Sequence, residues 1–241
     1  KRFQKFHSDL GFIKDRITES LGDLYGMHWP YKQYKTSRNV KKVPYHDSLK
    51  SFGACFGVSA GYERPMWFAL DGEKAEYEYS YNYQNWYPSV EYETNNTIKN
   101  VGLFDLTPFS KFELKSKKAH EELQKICTSN IKNEVGKCTY THMLNKDGGI
   151  ETDLTIICIG ENHFRIISSA ATRERDKFHI KKHLSEDIEL KDVTDDYCVF
   201  GIFGPNSRLL MQKLSNEDFS NKNLKFANSK KVKIDDIETW V

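Results

Sequence analysis

Asp153 is the residue of this sequence best placed to do chemistry. It opens the apolar run of residues 154–159, where a carboxylate has few solvating neighbours and needs a hydrogen-bond donor from the protein or from the N–H group of a ligand. On its own, such a residue is more often a strand-edge aspartate tied to backbone amides or to a lysine. Whether Asp153 belongs to a ligand site or has a structural role must therefore be judged from the surrounding sequence.

A β-hairpin is predicted around Asp153. Residues 139–144 and 154–159 are two β-rich runs, and residues 145–149 between them carry turn chemistry. Asp147, Gly148 and Gly149 tolerate positive φ, so the strands can reverse tightly and bring Tyr140 near Asp153. The sequence does not fix the pairing register of the two strands.

Composition limits the classes of function. The chain has 241 residues, of which 38% are hydrophobic and 29% charged, which suits one large or two modest globular domains. Its 36 Lys and Arg against 34 Asp and Glu give a net charge of +2, so no nucleic-acid partner is expected from long-range electrostatics. No apolar run approaches the roughly 20 residues of a membrane helix, so no membrane partner is expected either.

The cysteines favour a reducing compartment. There are five of them, an odd number, and none forms a C-x-x-C pair. Buried reduced thiols are the expected state, and neither a disulfide framework nor a metal site is predicted.

Hydrophobic periodicity predicts an α+β fold with a mixed or antiparallel sheet and flanking helices. The Tyr-rich residues 77–87 are predicted to form a strand or an aromatic loop, and near-neutral charge argues against a base-stacking surface. Helices are predicted at residues 12–25, 95–101, 118–127, 173–184 and after Pro205, and strands at residues 103–105, 109–114, 162–169 and 192–204, beside the hairpin.

Two groups of motifs carry a family resemblance. L-N-K-D followed by G-G-I-x-x-D-L at residues 144–154 resembles the signature of the folate-binding domain of aminomethyltransferases, the T-protein family of the glycine cleavage system. Glu151 and Thr152 within it are similar to the fused versions in dimethylglycine and sarcosine dehydrogenases and oxidases. Upstream, YGMHWP, PYHDSL, GACFG and GYERPMWFA resemble the segment that joins the flavin domain of those enzymes to their folate domain.

The resemblance implies a domain order along the chain. Residues 1–46 would be the tail of a FAD-dependent oxidase domain, residues 47–98 a connector domain, and residues 99–241 a T-protein-like folate-binding domain that is incomplete at its C-terminus. The chain would then be a portion of a longer enzyme.

The resemblance also implies a function and a site. The enzyme would oxidise an N-methyl amine, dimethylglycine or sarcosine, at FAD and pass the one-carbon unit to tetrahydrofolate to give 5,10-methylenetetrahydrofolate. Asp153 would be the catalytic residue at the folate nitrogen, and the folate-binding residues would be Tyr140, Thr139, Phe109 and Ile167. The partners would be the folate, the amine donor and the upstream oxidase domain, in a bacterial cytoplasm or the mitochondrial matrix.

Other readings stay open. A stand-alone aminomethyltransferase or folate-dependent demethylase would lack the GACFG to ERPMWF connector, which disfavours it. From a different class, the folate-like domain could be a non-catalytic interaction module that shapes the oxidase domain. For Tyr140, a cross-strand aromatic without a ligand is the simpler interpretation.

Overall fold

The computed structural model describes residues 5–241 and divides them into two compact units. The N-terminal unit comprises residues 5–108 together with 200–204. The sheet unit comprises residues 109–199 and 205–241. None of the helices in residues 5–241 is long and apolar enough to cross a lipid bilayer.

Six α-helices alternate with eleven strands among the described residues. The helices are α1 (Leu10–Asp23), α2 (His46–Ser51), α3 (Tyr87–Lys99), α4 (Ala119–Ile126), α5 (Arg173–His183) and α6 (Ser207–Leu214). The strands are β1 (Ala54–Ser59), β2 (Tyr62–Phe68), β3 (Gly102–Asp105), β4 (Ser110–Lys115), β5 (Cys138–Leu144), β6 (Ile150–Gly160), β7 (His163–Ser168), β8 (Leu190–Asp192), β9 (Phe200–Phe203), β10 (Lys231–Ile234) and β11 (Ile237–Trp240).

The N-terminal unit contains two antiparallel strand pairs and three helices. β1 and β2 form a hairpin whose turn residues, Ala60 and Gly61, both have positive φ, as the tight reversal requires. β3 pairs with β9. Asp9 begins α1 by accepting a hydrogen bond from the amide of Phe12 at 2.7 Å.

The sheet unit is built on a five-stranded antiparallel sheet with the order β5-β6-β7-β4-β8. Alternate residues of each strand point to one face, which we call the core face, because α4 and α5 pack their apolar residues there. The fully buried core residues on it include Phe112, Leu114, Met143, Ile156, Phe164 and Ile166 from the strands, with Leu123 from α4 and Ile180 from α5. We call the opposite side the outer face.

The predicted α+β class with an antiparallel sheet is confirmed. The helices at residues 12–25, 118–127 and 173–184, the helix after Pro205 and the central hairpin all form near their predicted positions. The helix predicted at residues 95–101 begins earlier, at Tyr87, with Pro88 in its first turn, where the missing N–H has no intrahelical role. Residues 77–86 before it form an aromatic loop.

The single strand predicted at residues 192–204 is wrong. The chain forms β8, a 3₁₀ turn at Thr194–Asp196, and then β9, which pairs with β3. Thr194 causes the break, because both its amide and its hydroxyl donate to Asp192 Oδ1, at 3.2 and 2.7 Å. Such local side-chain bonds compete with a strand ladder.

The domain boundaries implied by the resemblance stay predictions.

Candidate functional site

The register of the central hairpin decides which residues can share a site. β5 and β6 pair so that Tyr140 lies opposite Thr155, and His142 lies opposite Asp153. All four side chains are therefore on the outer face, since residues directly opposite in an antiparallel pair point the same way. The turn between the strands is closed by Asn145, whose amide donates to the carbonyl of Gly149 at 2.8 Å.

Tyr140 and Asp153 are in direct contact. The Tyr140 hydroxyl donates a hydrogen bond to Asp153 Oδ2 at 3.1 Å. That bond raises the pKa of Tyr140, because the phenolate could not donate to the carboxylate. Asp153 Oδ1 accepts no hydrogen bond from residues 5–241, so this exposed carboxylate has acceptor capacity left.

Both side chains are accessible. Tyr140 is 60% exposed and Asp153 is also exposed. An aromatic ring and a carboxylate side by side on an open surface can stack on a planar heterocycle and accept its N–H groups. This is the chemistry that the pteridine part of a folate requires, and the two residues fit it.

His142 belongs to the same patch, and sequence reasoning missed it. Its ring lies edge-on to that of Tyr140, with centroids 5.3 Å apart, and it occupies the register position opposite Asp153. Strand alternation places His142 on the side of Tyr140, so the signal was present in the sequence. The pairing with Asp153 became visible only with the register.

The β7–β4 end of the outer face is closed and charged. Arg165 donates a hydrogen bond to Glu113 Oε1 through Nη2 at 2.6 Å. Its guanidinium carbon lies 4.0 Å from the centroid of the Tyr197 ring. Burial alone would raise the pKa of Glu113, but the bonds from Arg165 and His163 outweigh it and hold that pKa below its usual range. Lys111, in the same face, is 1% exposed.

The structure brings most of the predicted site residues to one face. Ile167 pairs with both Thr155 and Lys111, so Tyr140, Thr155, Ile167 and Lys111 form one row across the outer face. Phe109, which is 38% exposed, immediately precedes β4, and its carbonyl accepts a hydrogen bond from Lys111 Nζ at 2.9 Å.

Thr139 lies apart from the other predicted residues. It pairs with Ile156 and points to the core face, and its hydroxyl accepts a hydrogen bond from the amide of Lys132 at 3.4 Å. Strand alternation separates it from its neighbour Tyr140. Its assignment to the folate site stays a prediction. Thr139 and Asp153 point to opposite faces of the sheet, so their side chains do not contact each other.

A histidine pair on α5 was also missed. His179 and His183 are four residues apart on one side of the helix, with ring centroids 4.5 Å apart. Spacing of this kind is used by metal sites, but residues 5–241 bring no third His, Cys, Asp or Glu to the pair.

Comparison with known proteins agrees with this architecture. Residues 45–241 match the family model described as the GCVT N-terminal domain, and residues 1–42 match the FAD dependent oxidoreductase central domain. The crystal structure of the glycine cleavage system aminomethyltransferase T from Bartonella henselae superimposes with a TM-score of 0.65 at 20% identity, covering 81% of this chain and 48% of that one. That likeness shows the fold.

Two curated relatives extend over nearly the whole chain. A 4-methylaminobutanoate oxidase (formaldehyde-forming) of Paenarthrobacter nicotinovorans is 36% identical over 98% of this chain and 29% of its own length. The mitochondrial dimethylglycine dehydrogenase of Homo sapiens is 31% identical over 94% of this chain and 26% of its own length. The chain thus spans less than a third of each of these relatives.

The fold is that of an aminomethyltransferase-type domain, and its central hairpin carries Asp153 and Tyr140. The chain belongs to the GCVT N-terminal domain family. The expected resemblance to the dimethylglycine and sarcosine dehydrogenase group is confirmed, with a segment of the flavin-enzyme central domain preceding the GCVT domain.

Proposed function

We propose that the sheet unit binds tetrahydrofolate at the exposed β5–β6 end of its outer face. It would serve a flavin-dependent N-methyl amine dehydrogenase or oxidase. There the oxidised methyl carbon would pass from the amine nitrogen to the two folate nitrogens, giving 5,10-methylenetetrahydrofolate and releasing the demethylated amine. The observation that carries the proposal is the Tyr140–Asp153 pair, a hydrogen-bonded ring and carboxylate that are both open to a ligand.

Each residue has a part in this proposal. Asp153 accepts a hydrogen bond from a folate N–H through Oδ1 and stabilises positive charge that develops on that nitrogen. Tyr140 holds Oδ2 and thereby fixes the orientation of the carboxylate. Ile167 and Phe109 offer apolar surface along the same face. The folate supplies the nucleophilic nitrogen that takes up the one-carbon unit.

FAD is proposed for the longer protein only. No G-x-G-x-x-G fingerprint occurs in the 241 residues, so the residues of this chain have no proposed part in holding the dinucleotide. The donor amine, the oxidase domain and a setting in the bacterial cytoplasm or the mitochondrial matrix are proposed on the strength of the relatives.

Calorimetric titration of the chain with tetrahydrofolate tests the site. Because a hydrogen bond to a charged group contributes about 1.5–3 kcal/mol, Asp153→Ala should weaken binding about tenfold or more. Tyr140→Phe keeps the ring and loses only the bond to Asp153, so it should have a smaller effect. Asp153→Asn retains an acceptor oxygen and should bind within a few-fold of wild type. One-carbon transfer by the full-length flavin enzyme, measured as 5,10-methylenetetrahydrofolate formed, should fall in the same variant.

The matched control is Asp147→Asn, which removes an exposed carboxylate from the turn of the same hairpin and should leave binding unchanged. The full-length protein is titrated beside the chain, and absence of tetrahydrofolate binding by the full-length protein would favour the alternative of a non-catalytic interaction module.

A further inference from the structure

Helix α5 carries two histidines that the folate proposal does not use. His179 and His183 are four residues apart, so their side chains lie one above the other on the same side of the helix. Their ring centres are 4.5 Å apart, and the ring planes are tilted by 50°. His183 is exposed and His179 is half-buried, so both rings can be reached from solvent.

The separation of the two rings matches that of two ligands of one metal ion. With a metal–nitrogen distance of about 2.0 Å, two imidazoles bound at a right angle have ring centres about 4.5 Å apart. At a tetrahedral angle the ring centres would be roughly 5.2 Å apart. The pair therefore suits an ion with square-planar or octahedral coordination better than a tetrahedral one.

His183 is already oriented as a metal ligand. Its Nδ1 donates a hydrogen bond to the main-chain carbonyl of His179 at 2.8 Å, since a carbonyl oxygen only accepts. The proton of the neutral ring is therefore on Nδ1, which leaves the lone pair of Nε2 for a metal. Metal-binding histidines almost always donate their second ring N–H to a carbonyl or a carboxylate in this way.

The ring of His179 can turn toward the same ion. No hydrogen bond from residues 5–241 holds its nitrogens, so rotation about χ2 breaks no existing bond. His183 is the last residue of α5, where the partial negative charge of the helix carbonyls favours a cation. The charges of Lys181 and Lys182 act against a cation, but both side chains are exposed and are screened by solvent.

We propose that His179 and His183 together bind one divalent transition-metal ion of the nickel and copper class, with water in the remaining coordination positions. Imidazole nitrogen suits these ions, whereas Mg²⁺ and Ca²⁺ prefer oxygen ligands. Since no third His, Cys, Asp or Glu joins the pair within residues 5–241, the site is open and its affinity is modest. Helix α5 packs on the core face, opposite Tyr140 and Asp153, so this site is independent of the proposed folate site.

Ni²⁺ is the probe, because Cu²⁺ would also react with the free thiols, and calorimetry on the 241-residue chain measures its affinity. His179→Gln and His183→Gln should each weaken Ni²⁺ binding about tenfold or more, since the second imidazole binds at a high effective concentration. Cys198→Ser removes the exposed thiol and His28→Gln removes another exposed histidine. In both control variants the affinity should stay within about twofold, as expected for distant, independent sites.

A spacing variant distinguishes a chelating pair from two separate surface histidines. Lys181→His combined with His183→Gln keeps the number of histidines but places the second one two residues after His179, where the two side chains do not face each other. Its affinity for Ni²⁺ should fall to that of His183→Gln alone.

Paramagnetic broadening tests the site without any substitution. In the wild-type chain, the ring proton resonances of His179 and His183 should broaden together at Ni²⁺ concentrations that leave the other histidines unchanged. Four results would overturn the proposal. These are absence of saturable Ni²⁺ binding by the wild type, binding by the spacing variant as tight as by the wild type, loss of binding in Cys198→Ser, and broadening of only one of the two histidines.

Discussion

Lys111 is a single residue whose titration should make the stability of the folded state depend on pH. Its side chain is 1% exposed, and Nζ donates to the carbonyl of Phe109 at 2.9 Å. Burial lowers the pKa of Lys111 to about 8, whereas the pKa of an unfolded lysine is about 10.4. Between these two values the unfolded chain binds more protons, so the folded state gains stability as the pH rises.

We therefore expect the free energy of unfolding of wild type minus that of Lys111→Met to increase by about 2 kcal/mol from pH 7 to pH 10. Urea unfolding followed by circular dichroism measures it, and the titration of other groups cancels in the difference. Lys115→Met, an exposed lysine at the end of the same strand, should give a difference that is flat with pH. A flat profile for Lys111→Met would contradict the buried, charged lysine described here.

At the residue scale, local sequence patterns predicted which side chains share a site when the residues lie on one hairpin. Asp153 and Tyr140 were predicted to lie near one another, and they are hydrogen-bonded. Lys111 was not singled out, because the alternation that places it on the outer face does not reveal that this end of the face is covered. That covering comes from Tyr197, 86 residues later in the chain and stacked on Arg165.

The turn of the central hairpin is the element that sets the site. The Asn145 side chain accepts hydrogen bonds from the amides of Asp147 and Gly149, at 3.0 and 2.9 Å, and Gly148 has a φ of 80°. The general prediction of positive φ at residues 147–149 is thus realised at Gly148 alone. These features fix the loop length, and a β-bulge then adds Glu151 between the Leu144–Ile150 and Met143–Thr152 pairs. Turn and bulge together set the register that places Asp153 opposite His142.

Asn145→Ala removes two hydrogen bonds and should lower the free energy of unfolding by about 1–2 kcal/mol. Gly148→Ala should cost about 1 kcal/mol, because a Cβ is disfavoured at positive φ. Chemical denaturation of each variant provides the measurement. Lys146→Ala in the same turn is the control and should be nearly neutral, and a loss there as large as at Asn145 would show that the turn is not held as described.

Elements with strong periodicity were predictable, whereas the pairing of distant strands was not. α4 was predicted within one residue at each end, since its apolar positions recur at helical spacing. Residues 192–204 have a strand-like composition throughout, yet local bonds from Thr194 divide them between two sheets. Which sheet a short strand joins depends on partners such as β3, which lies about a hundred residues earlier in the chain.

At the scale of the whole molecule, the burial of the five cysteines indicates how tightly each unit is packed around them. Cys55 lies in the N-terminal unit, and Cys127, Cys138 and Cys158 lie in the sheet unit. All five are free thiols, and only Cys198 is classed as exposed. Burial raises the pKa of Cys55 to about 11 and that of Cys127 to about 12, and it also raises the pKa values of Cys138 and Cys158.

Since the thiolate is the reactive species, the four packed thiols should be slow toward an aromatic disulfide reagent at pH 8, both because they stay protonated and because access is blocked. We expect one fast-reacting thiol in the native chain and all five in denaturant, counted by absorbance. Cys198→Ser should abolish the fast phase and leave the four slow thiols unchanged. A second fast thiol, located by mass spectrometry of the labelled chain, would show which unit opens under native conditions, because each packed cysteine belongs to one unit only.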